Sequence, residues 1–246
     1  MHWPPSDYPH TNEFGIEYHK AMGAPWQPSK HKIALVDLTL TEQERRKYLR
    51  SSYKSLLNWG RKNIEWRPSA DIDQLQWFHA KIAGRSTRSQ LTWDLLEAEV
   101  QQGRGDILYG HIGSELVSGS LYIDGGGVCI YWSGVYERSL FPKPLAHYGL
   151  WLGMNRAAER GNQWFELGEL PEGKGKEANI GKFKAGFATH IIGQGETLGM
   201  DEAASPGRGK AASIFRTRQP RDRGAGQATN RGSRINPLRY AGQAPV

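Results

Sequence analysis

Three apolar stretches separated by very short links constrain the fold of this chain more than any other feature. They cover residues 106–112, 115–123 and 128–136, and the links have two and four residues. Their composition is typical of strands. Links this short join antiparallel neighbours, because parallel strands need a crossover of about a dozen residues or more. The sequence therefore predicts an antiparallel three-stranded meander.

Helical and strand patterns surround the meander. Before it, the sequence predicts a strand over residues 33–40 and helices over residues 42–62, 72–83 and 93–102. After it, the sequence predicts a helix between Pro144 and Gly161, a strand over residues 163–167, a Gly- and Lys-rich loop over residues 168–184 and a last strand over residues 190–192. This order predicts an α/β (α+β) fold whose central sheet is mixed, largely antiparallel and flanked by helices.

The positive charge of the chain is concentrated at one end. The 246 residues carry a formal net charge of +7, yet residues 205–246 hold nine Lys or Arg residues and one acid, a charge of +8. The remaining residues carry −1, so the overall charge does not by itself indicate a nucleic-acid-binding domain. The composition of residues 205–246 predicts a disordered basic tail. RNA contact by this tail is the alternative to a merely solvated segment.

The sequence divides into three predicted parts. Residues 1–30 have turn chemistry and form an irregular lead-in, residues 31–204 form one domain, and residues 205–246 form the tail. Cys129 is the single cysteine, which excludes an intrachain disulfide and a Cys-rich zinc site. No apolar run approaches the length of about 20 residues that a membrane-spanning helix needs, and the polar start is not a signal peptide. We therefore expect a cytoplasmic protein.

The predicted helix over residues 42–62 combines cations with aromatic side chains. Cations neutralise a phosphate and aromatic rings stack on a base, so this pattern suits a phosphate-bearing ligand. The alternative is an ordinary amphipathic helix with a solvated basic face. The candidate binding residues are Arg50, Tyr53, Lys54, Trp59 and Arg61.

Four segments of the chain, taken in order, resemble a known family. They are LRSSYKSLLNWGRKN from Leu49, ILYGHIGSELVSGSLYI from Ile107, VCIYWSGVYERSLFPKPLAHYGLWLGMNRAAERGNQWFELGEL from Val128 and GKFKAGFATH from Gly181. Their combination resembles the FemAB-like branch of the GNAT acyltransferase superfamily. The resemblance covers roughly residues 33–193 and implies a GNAT-like acyltransferase fold.

The resemblance also implies roles for individual residues. The branch includes peptidoglycan bridge-forming aminoacyltransferases and acyltransferases encoded with surface-polysaccharide genes, and its members typically carry two GNAT-like units. This chain has room for little more than one, so its first half is expected to be shortened. FKAGF over residues 183–187 matches a late Phe-Lys pair of the family. By that match Lys184 stabilises the developing oxyanion and Phe183 shapes the pocket. The alternative is an ordinary loop lysine.

The acyl donor is left open by the link between the meander and the next helix. GNAT enzymes that use acetyl-CoA normally have a Gly-rich turn there, whose N–H groups hold the pyrophosphate. Residues 137–147 of this chain, ERSLFPKPLAH, contain no glycine. Either the donor is an aminoacyl-tRNA, or side chains such as Arg138 and Lys143 hold the pyrophosphate of acyl-CoA.

Acyl transfer to an amine or hydroxyl needs proton transfer, and four residues are candidates for it. His147 lies in the first turn of a predicted helix, where the positive helix end disfavours protonation and keeps the imidazole able to accept a proton. Glu166 and Glu169 flank the end of a predicted strand, and Tyr148 could return a proton to the leaving group. The alternatives are a capping or core role for His147, solvated carboxylates for Glu166 and Glu169 and packing for Tyr148.

These observations predict an acyl or aminoacyl transferase of the FemAB-like type. It would transfer an acyl group from acyl-CoA or aminoacyl-tRNA to an amine or hydroxyl of a peptidoglycan or surface-polysaccharide precursor. We expect no metal, no tightly bound cofactor and no membrane span, in a bacterial cytoplasmic protein for which peripheral contact with the inner membrane stays open. The alternative is a non-catalytic, degenerate transferase domain that binds an anionic partner. The sequence does not indicate an oligomeric state.

Overall fold

A computed structural model describes residues 32–171 and 174–193. In chain order, its elements are β1 (Lys32–Asp37), α1 (Glu42–Tyr48), α2 (Tyr53–Asn63), β2 (Glu65–Ser69), α3 (Ile72–Ala83), α4 (Gln90–Gln101), β3 (Gly105–Ile112), β4 (Glu115–Gly125), β5 (Val128–Tyr136), α5 (His147–Glu159), β6 (Trp164–Leu170), α6 (Lys176–Ala185) and β7 (His190–Ile192). A short 3-10 helix, Arg138–Leu140, lies between β5 and α5. The lead-in and tail predictions lie outside the described residues.

The strands form one seven-stranded sheet in the order β2-β3-β4-β5-β6-β1-β7. The meander β3-β4-β5 is antiparallel, as the short links predict. The contact between β5 and β6 is the parallel one, and α5 forms the crossover between these two strands. The predicted mixed, largely antiparallel sheet flanked by helices is therefore confirmed.

The sheet carries an apolar layer on each face. On one face, α5 packs on the sheet through Leu150 and Met154, which meet Tyr122 and Phe165 in one buried cluster. On the other face, α3 and α4 contribute a second cluster that includes Phe78. Cys129 is fully buried in the first cluster, as expected of a small apolar residue.

The prediction of one continuous helix over residues 42–62 is wrong, because the structure has two helices there. Thr41 and Glu44 form a capping box at the start of this segment, but α1 ends at Tyr48 and α2 begins at Tyr53. Between them, the N–H of Arg50 donates to the carbonyl of Gly186 over 2.9 Å, and Nη2 of Arg50 donates to the carbonyl of Lys182 over 2.8 Å. Because these partners lie at the end of α6, a long-range contact replaces the local helical hydrogen bonds.

Three further elements differ from the sequence prediction. The predicted loop over residues 168–184 contains the end of β6 and nearly all of α6, a helix that begins after Gly175 and ends beside Gly186. The prediction missed this helix because its apolar residues show little helical periodicity. It also missed β2, whose polar sequence and Pro68 suit an edge strand. Helix α4 begins at Gln90 after the N-cap Ser89, three residues before the predicted start at residue 93.

Candidate active site where two parallel strands part

The candidate site lies where β5 and β6 stop pairing. Their parallel ladder runs from Val128, opposite Trp164, to Ile130, opposite Glu166, although both strands continue beyond it. The carboxyl ends of parallel strands that part in this way leave a crevice in which ligands commonly bind. The first turn of α5 follows the end of β5, and α6 packs against the end of β6. The topology therefore brings both helices to this crevice.

Four rings from three segments form the aromatic cluster of Tyr53, His147, Phe183 and Phe187. The imidazole of His147 has its ring centre 4.7 Å from that of Tyr53 and 5.1 Å from that of Phe183, with edge-to-face geometry in both cases. Phe187 lies 6.0 Å from the same imidazole. The hydroxyl of Tyr53 donates to the carbonyl of Phe183 over 3.1 Å. These contacts hold α2, α5 and the end of α6 together around one histidine.

Burial in this cluster lowers the pKa of His147 from its ordinary value of 6.5 to about 4. The carbonyl of Pro144 opposes this shift, whereas the positive charge of Arg50 adds to it. Within the described residues, Nδ1 of His147 is buried and makes no hydrogen bond of acceptable geometry. The imidazole is therefore neutral at pH 7, as the sequence prediction requires, although burial is the main reason.

Lys184 lies one residue beyond the cluster member Phe183, in the last turn of α6. Its Nζ donates to the carbonyl of Glu169 over 3.4 Å, and a Cβ atom added to Gly168 would lie 3.2 Å from it. Burial lowers the pKa of Lys184, while the carboxylates of Glu166 and Glu169 act in the opposite direction. The amine therefore lies over the part of β6 that no longer pairs with β5, beside Glu166, the last residue of β6 that pairs with β5.

Arg50 fixes the position of α6 beside α2. Besides its two bonds to the end of α6, its guanidinium lies 5.2 Å from the ring centre of Tyr53. A cation this close to the ring is attracted by its negative face. Arg50 therefore has a positioning role that its place in a basic helix did not suggest.

The other predicted site residues lie elsewhere. Trp59 packs in an apolar cluster with Ile64, Val117 and Leu145, and Lys54 is exposed. Arg138 and Lys143 are exposed on the link that precedes α5. Tyr148 packs its Cβ against Gly60 and its ring 6.1 Å from that of Trp66. Together with Arg61 it lines a groove between α1, α2 and α5.

Sequence reasoning missed Phe187. It completes the aromatic cluster and belongs to the FKAGF segment that singled out Lys184, so the same motif could have indicated it. Glu169 was a candidate for its carboxylate, whereas the hydrogen bond from Lys184 goes to its backbone carbonyl, a contact that no side-chain pattern indicates. Within residues 32–171 and 174–193, no three His, Cys, Asp or Glu residues are grouped as metal ligands would be. No helix in this part of the chain has the length and apolar character needed to cross a membrane.

Comparisons with known proteins bear on the family and the fold. Residues 43–178, more than half of the chain, match the family model described as an acetyltransferase (GNAT) domain. The fold is similar to that of FemX, with a TM-score of 0.55 and 12% sequence identity over 65% of this chain and 59% of FemX. The chain thus spans less than two thirds of that protein. No curated protein matches the sequence.

Two further solved structures are similar at a lower level. A domain of a candidate lysylphosphatidylglycerol synthetase from Agrobacterium fabrum has 12% identity and a TM-score of 0.48, over 70% of this chain and 67% of that one. L-PGS from Bacillus licheniformis has 15% identity and a TM-score of 0.44, over 66% and 52% of the two chains. Both scores are too low to establish a shared topology.

Proposed function

Because the chain belongs to the acetyltransferase (GNAT) family, in its FemAB-like branch, we propose that it transfers an acyl or aminoacyl group to an amine or hydroxyl of a cell-envelope precursor. The observation that carries this proposal is that His147 packs on Phe183, while the next residue, Lys184, reaches β6 where it parts from β5. The family resemblance singled out Phe183 and Lys184, and the helix start singled out His147. A neutral imidazole and an amine beside one crevice are the groups that acyl transfer requires.

The proposed reaction is a direct displacement at the donor carbonyl. The acceptor nitrogen or oxygen forms a bond to the carbonyl carbon while its proton passes to the neutral imidazole of His147. The bond from that carbon to the sulfur or oxygen of the donor then breaks. The leaving group takes a proton, so the imidazole returns to its neutral form and no oxidant or reductant is needed.

Lys184 would stabilise the negative charge that develops on the carbonyl oxygen. Its partly buried position strengthens such an interaction, because few water molecules compete for the amine. Glu166 and Glu169 favour the charged form of this amine, which is the form that stabilises an oxyanion. Phe183 and Phe187 would exclude water from the acyl group on the side of α6.

The link before α5 is compatible with two donor classes. Backbone N–H groups of a Gly-rich turn hold the pyrophosphate of CoA in many GNAT domains, and residues 137–147 have no glycine. An aminoacyl-tRNA donor fits this sequence, as does acyl-CoA held by the exposed Arg138 and Lys143. A peptidoglycan or surface-polysaccharide precursor as acceptor rests on the resemblance to the FemAB-like branch.

Donor binding tests the proposal first. The full chain is incubated with acyl-CoAs and, separately, with charged tRNA, and bound donor is detected by native mass spectrometry. We expect a complex with one donor class, followed by acylated product when sugar-nucleotide and lipid-linked precursors are added. If neither donor binds, the proposal is wrong.

A second candidate function is a non-catalytic binding module for an anionic partner. The glycine-free link favours it, because a GNAT domain that has lost its pyrophosphate turn can keep its fold while losing its donor. The same experiment separates the two functions. A binding module retains an anionic partner without forming acylated product from any donor.

A further inference from the structure

A polar groove lies between three helices, on the outer side of the sheet's α5 face. It has a volume of about 310 Å³, at the lower end of the range of small-ligand sites. Helix α1 contributes Glu42 and Arg46, α2 contributes Asn58 and Arg61, and α5 contributes Tyr148. The turn between α1 and α2, which the sequence did not predict, lets both helices face α5 at once.

The charged groups of this groove are two arginines and one carboxylate. Oε1 of Glu42 accepts a hydrogen bond from Nε1 of Trp151 over 3.0 Å and lies 3.9 Å from Nη1 of Arg46. Arg61 makes no ion pair within the described residues. The carboxylate is therefore engaged already, and one guanidinium has no counter-charge, so the groove carries a net charge of +1.

The hydrogen-bonding groups of the groove are mostly donors. A guanidinium only donates, and the side-chain amide of Asn58 offers two further N–H groups. Within the part of the chain that the structure describes, neither the amide of Asn58 nor the hydroxyl of Tyr148 is bonded to another protein group. A ligand that matches these groups carries negative charge and several acceptor oxygens on one centre. A phosphate has both properties, and a guanidinium binds it with two parallel hydrogen bonds.

We propose that this groove binds the phosphate or diphosphate group of a ligand, with Arg46 and Arg61 as the charged contacts and Asn58 and Tyr148 as additional hydrogen-bonding groups. The site differs from the crevice beside Lys184, but Tyr148 directly follows His147 on α5. A ligand held here by its phosphate therefore lies beside the helix turn that carries His147. Phosphate binding does not depend on catalysis, so it stands or falls separately from the proposed transferase function.

Isothermal titration calorimetry with inorganic pyrophosphate tests this site on the full chain. We expect Arg61→Gln to weaken pyrophosphate binding by about tenfold or more, the usual effect of losing a hydrogen bond to a charged group. Arg46→Gln should weaken it as well. Lys62→Gln is the matched control, because Lys62 is exposed on the same helix turn and does not line the groove. It should change affinity by no more than about twofold.

Two results would overturn the proposal. One is equal weakening by Arg61→Gln and Lys62→Gln, which would show attraction by the whole basic helix and no defined site. The other is the absence of pyrophosphate binding to the wild-type chain at millimolar concentration. Arg61 is exposed, so its substitution leaves the fold intact, and circular dichroism of each variant verifies this.

Competition identifies the source of the phosphate. CoA, a nucleoside diphosphate and vesicles of anionic phospholipid are each tested for displacement of bound pyrophosphate. Displacement by one of them in wild type, with loss of its binding in Arg61→Gln, supports the proposal and gives the ligand class. Displacement by none contradicts it, because a groove that takes only the inorganic ion has no phosphorylated ligand. Acyl transfer is measured separately, so a failed transfer assay with intact pyrophosphate binding counts against the proposed function alone.

Discussion

Replacing His147 with Gln should change how the stability of the domain depends on pH. Burial lowers the pKa of His147 from 6.5 to about 4. Between these values the unfolded chain binds a proton that the folded chain does not, so the folded state loses stability as pH falls. Glutamine does not titrate, and this contribution is therefore absent from His147→Gln.

The size of the effect follows from the same shift. A pH of about 4.5 lies about 2 units below the pKa that His147 has in the unfolded chain. Protonation there stabilises the unfolded state by about 2.7 kcal/mol. His147 is only half-buried, so solvent screening reduces the contribution to about 1 to 2 kcal/mol. The free energy of unfolding should therefore fall less between pH 7 and pH 4.5 in His147→Gln than in wild type, by this amount.

Urea unfolding followed by circular dichroism measures this difference. Each protein is compared with itself at the two pH values, so the direct effect of the substitution on packing cancels. His79→Gln offers a parallel case, because burial, together with the charge of Arg88, also lowers the pKa of His79 to about 4. Equal losses of stability in wild type and His147→Gln would refute the conclusion that the site holds a neutral imidazole.

Three further substitutions test contacts that hold the fold together, the last of them at the site. Gly153→Ala should lower the free energy of unfolding by about 1 to 3 kcal/mol, because the new Cβ would lie 2.3 Å from the ring of the fully buried Tyr122. Thermal unfolding measures this, and an unchanged midpoint would contradict this packing. Asp106→Asn should lower the free energy of unfolding by about 3 kcal/mol, since it leaves Arg156 and Arg160 without their shared buried carboxylate. Urea unfolding measures this, and a loss below about 1 kcal/mol would show that solvent replaces the pair. Arg50→Ala should speed amide hydrogen exchange in α6 by about fivefold, because one hydrogen bond to its last turn is lost; unchanged exchange would remove the positioning role of Arg50.

The sequence predicted those parts of the fold that local patterns specify. Short links dictated the meander, and α3 covers the predicted residues 72–83. The break between α1 and α2 could not be predicted, because its cause is a bond from Arg50 to Gly186, far away in the sequence. Helix α6 was missed since it lacks an apolar stripe, although it carries Lys184.

The candidate site was predictable in its residues and not in its arrangement. The family resemblance singled out Phe183 and Lys184, and the helix start singled out His147, but no pattern indicated that His147 would pack on Phe183. The candidate residues of the one predicted binding helix lie in two separate environments in the structure. Tyr53 joined the aromatic cluster, whereas Arg61 joined the groove beside Tyr148. Side chains that share a helix diverge by about 100° per residue, so composition alone could not assign them to one ligand.

The central claim is that Lys184 acts at an acyl-transfer site where β5 and β6 part. The most direct test is the rate of product formation by wild type, Lys184→Ala and the control Lys182→Ala, with the donor that native mass spectrometry identifies. Lys182 is exposed on the same helix, and only its backbone carbonyl is used, by Arg50. We predict that Lys184→Ala lowers kcat by about 100-fold, the usual effect of losing one oxyanion contact, with unchanged circular dichroism. Lys182→Ala should keep its rate. Full activity of a folded Lys184→Ala protein would contradict the account.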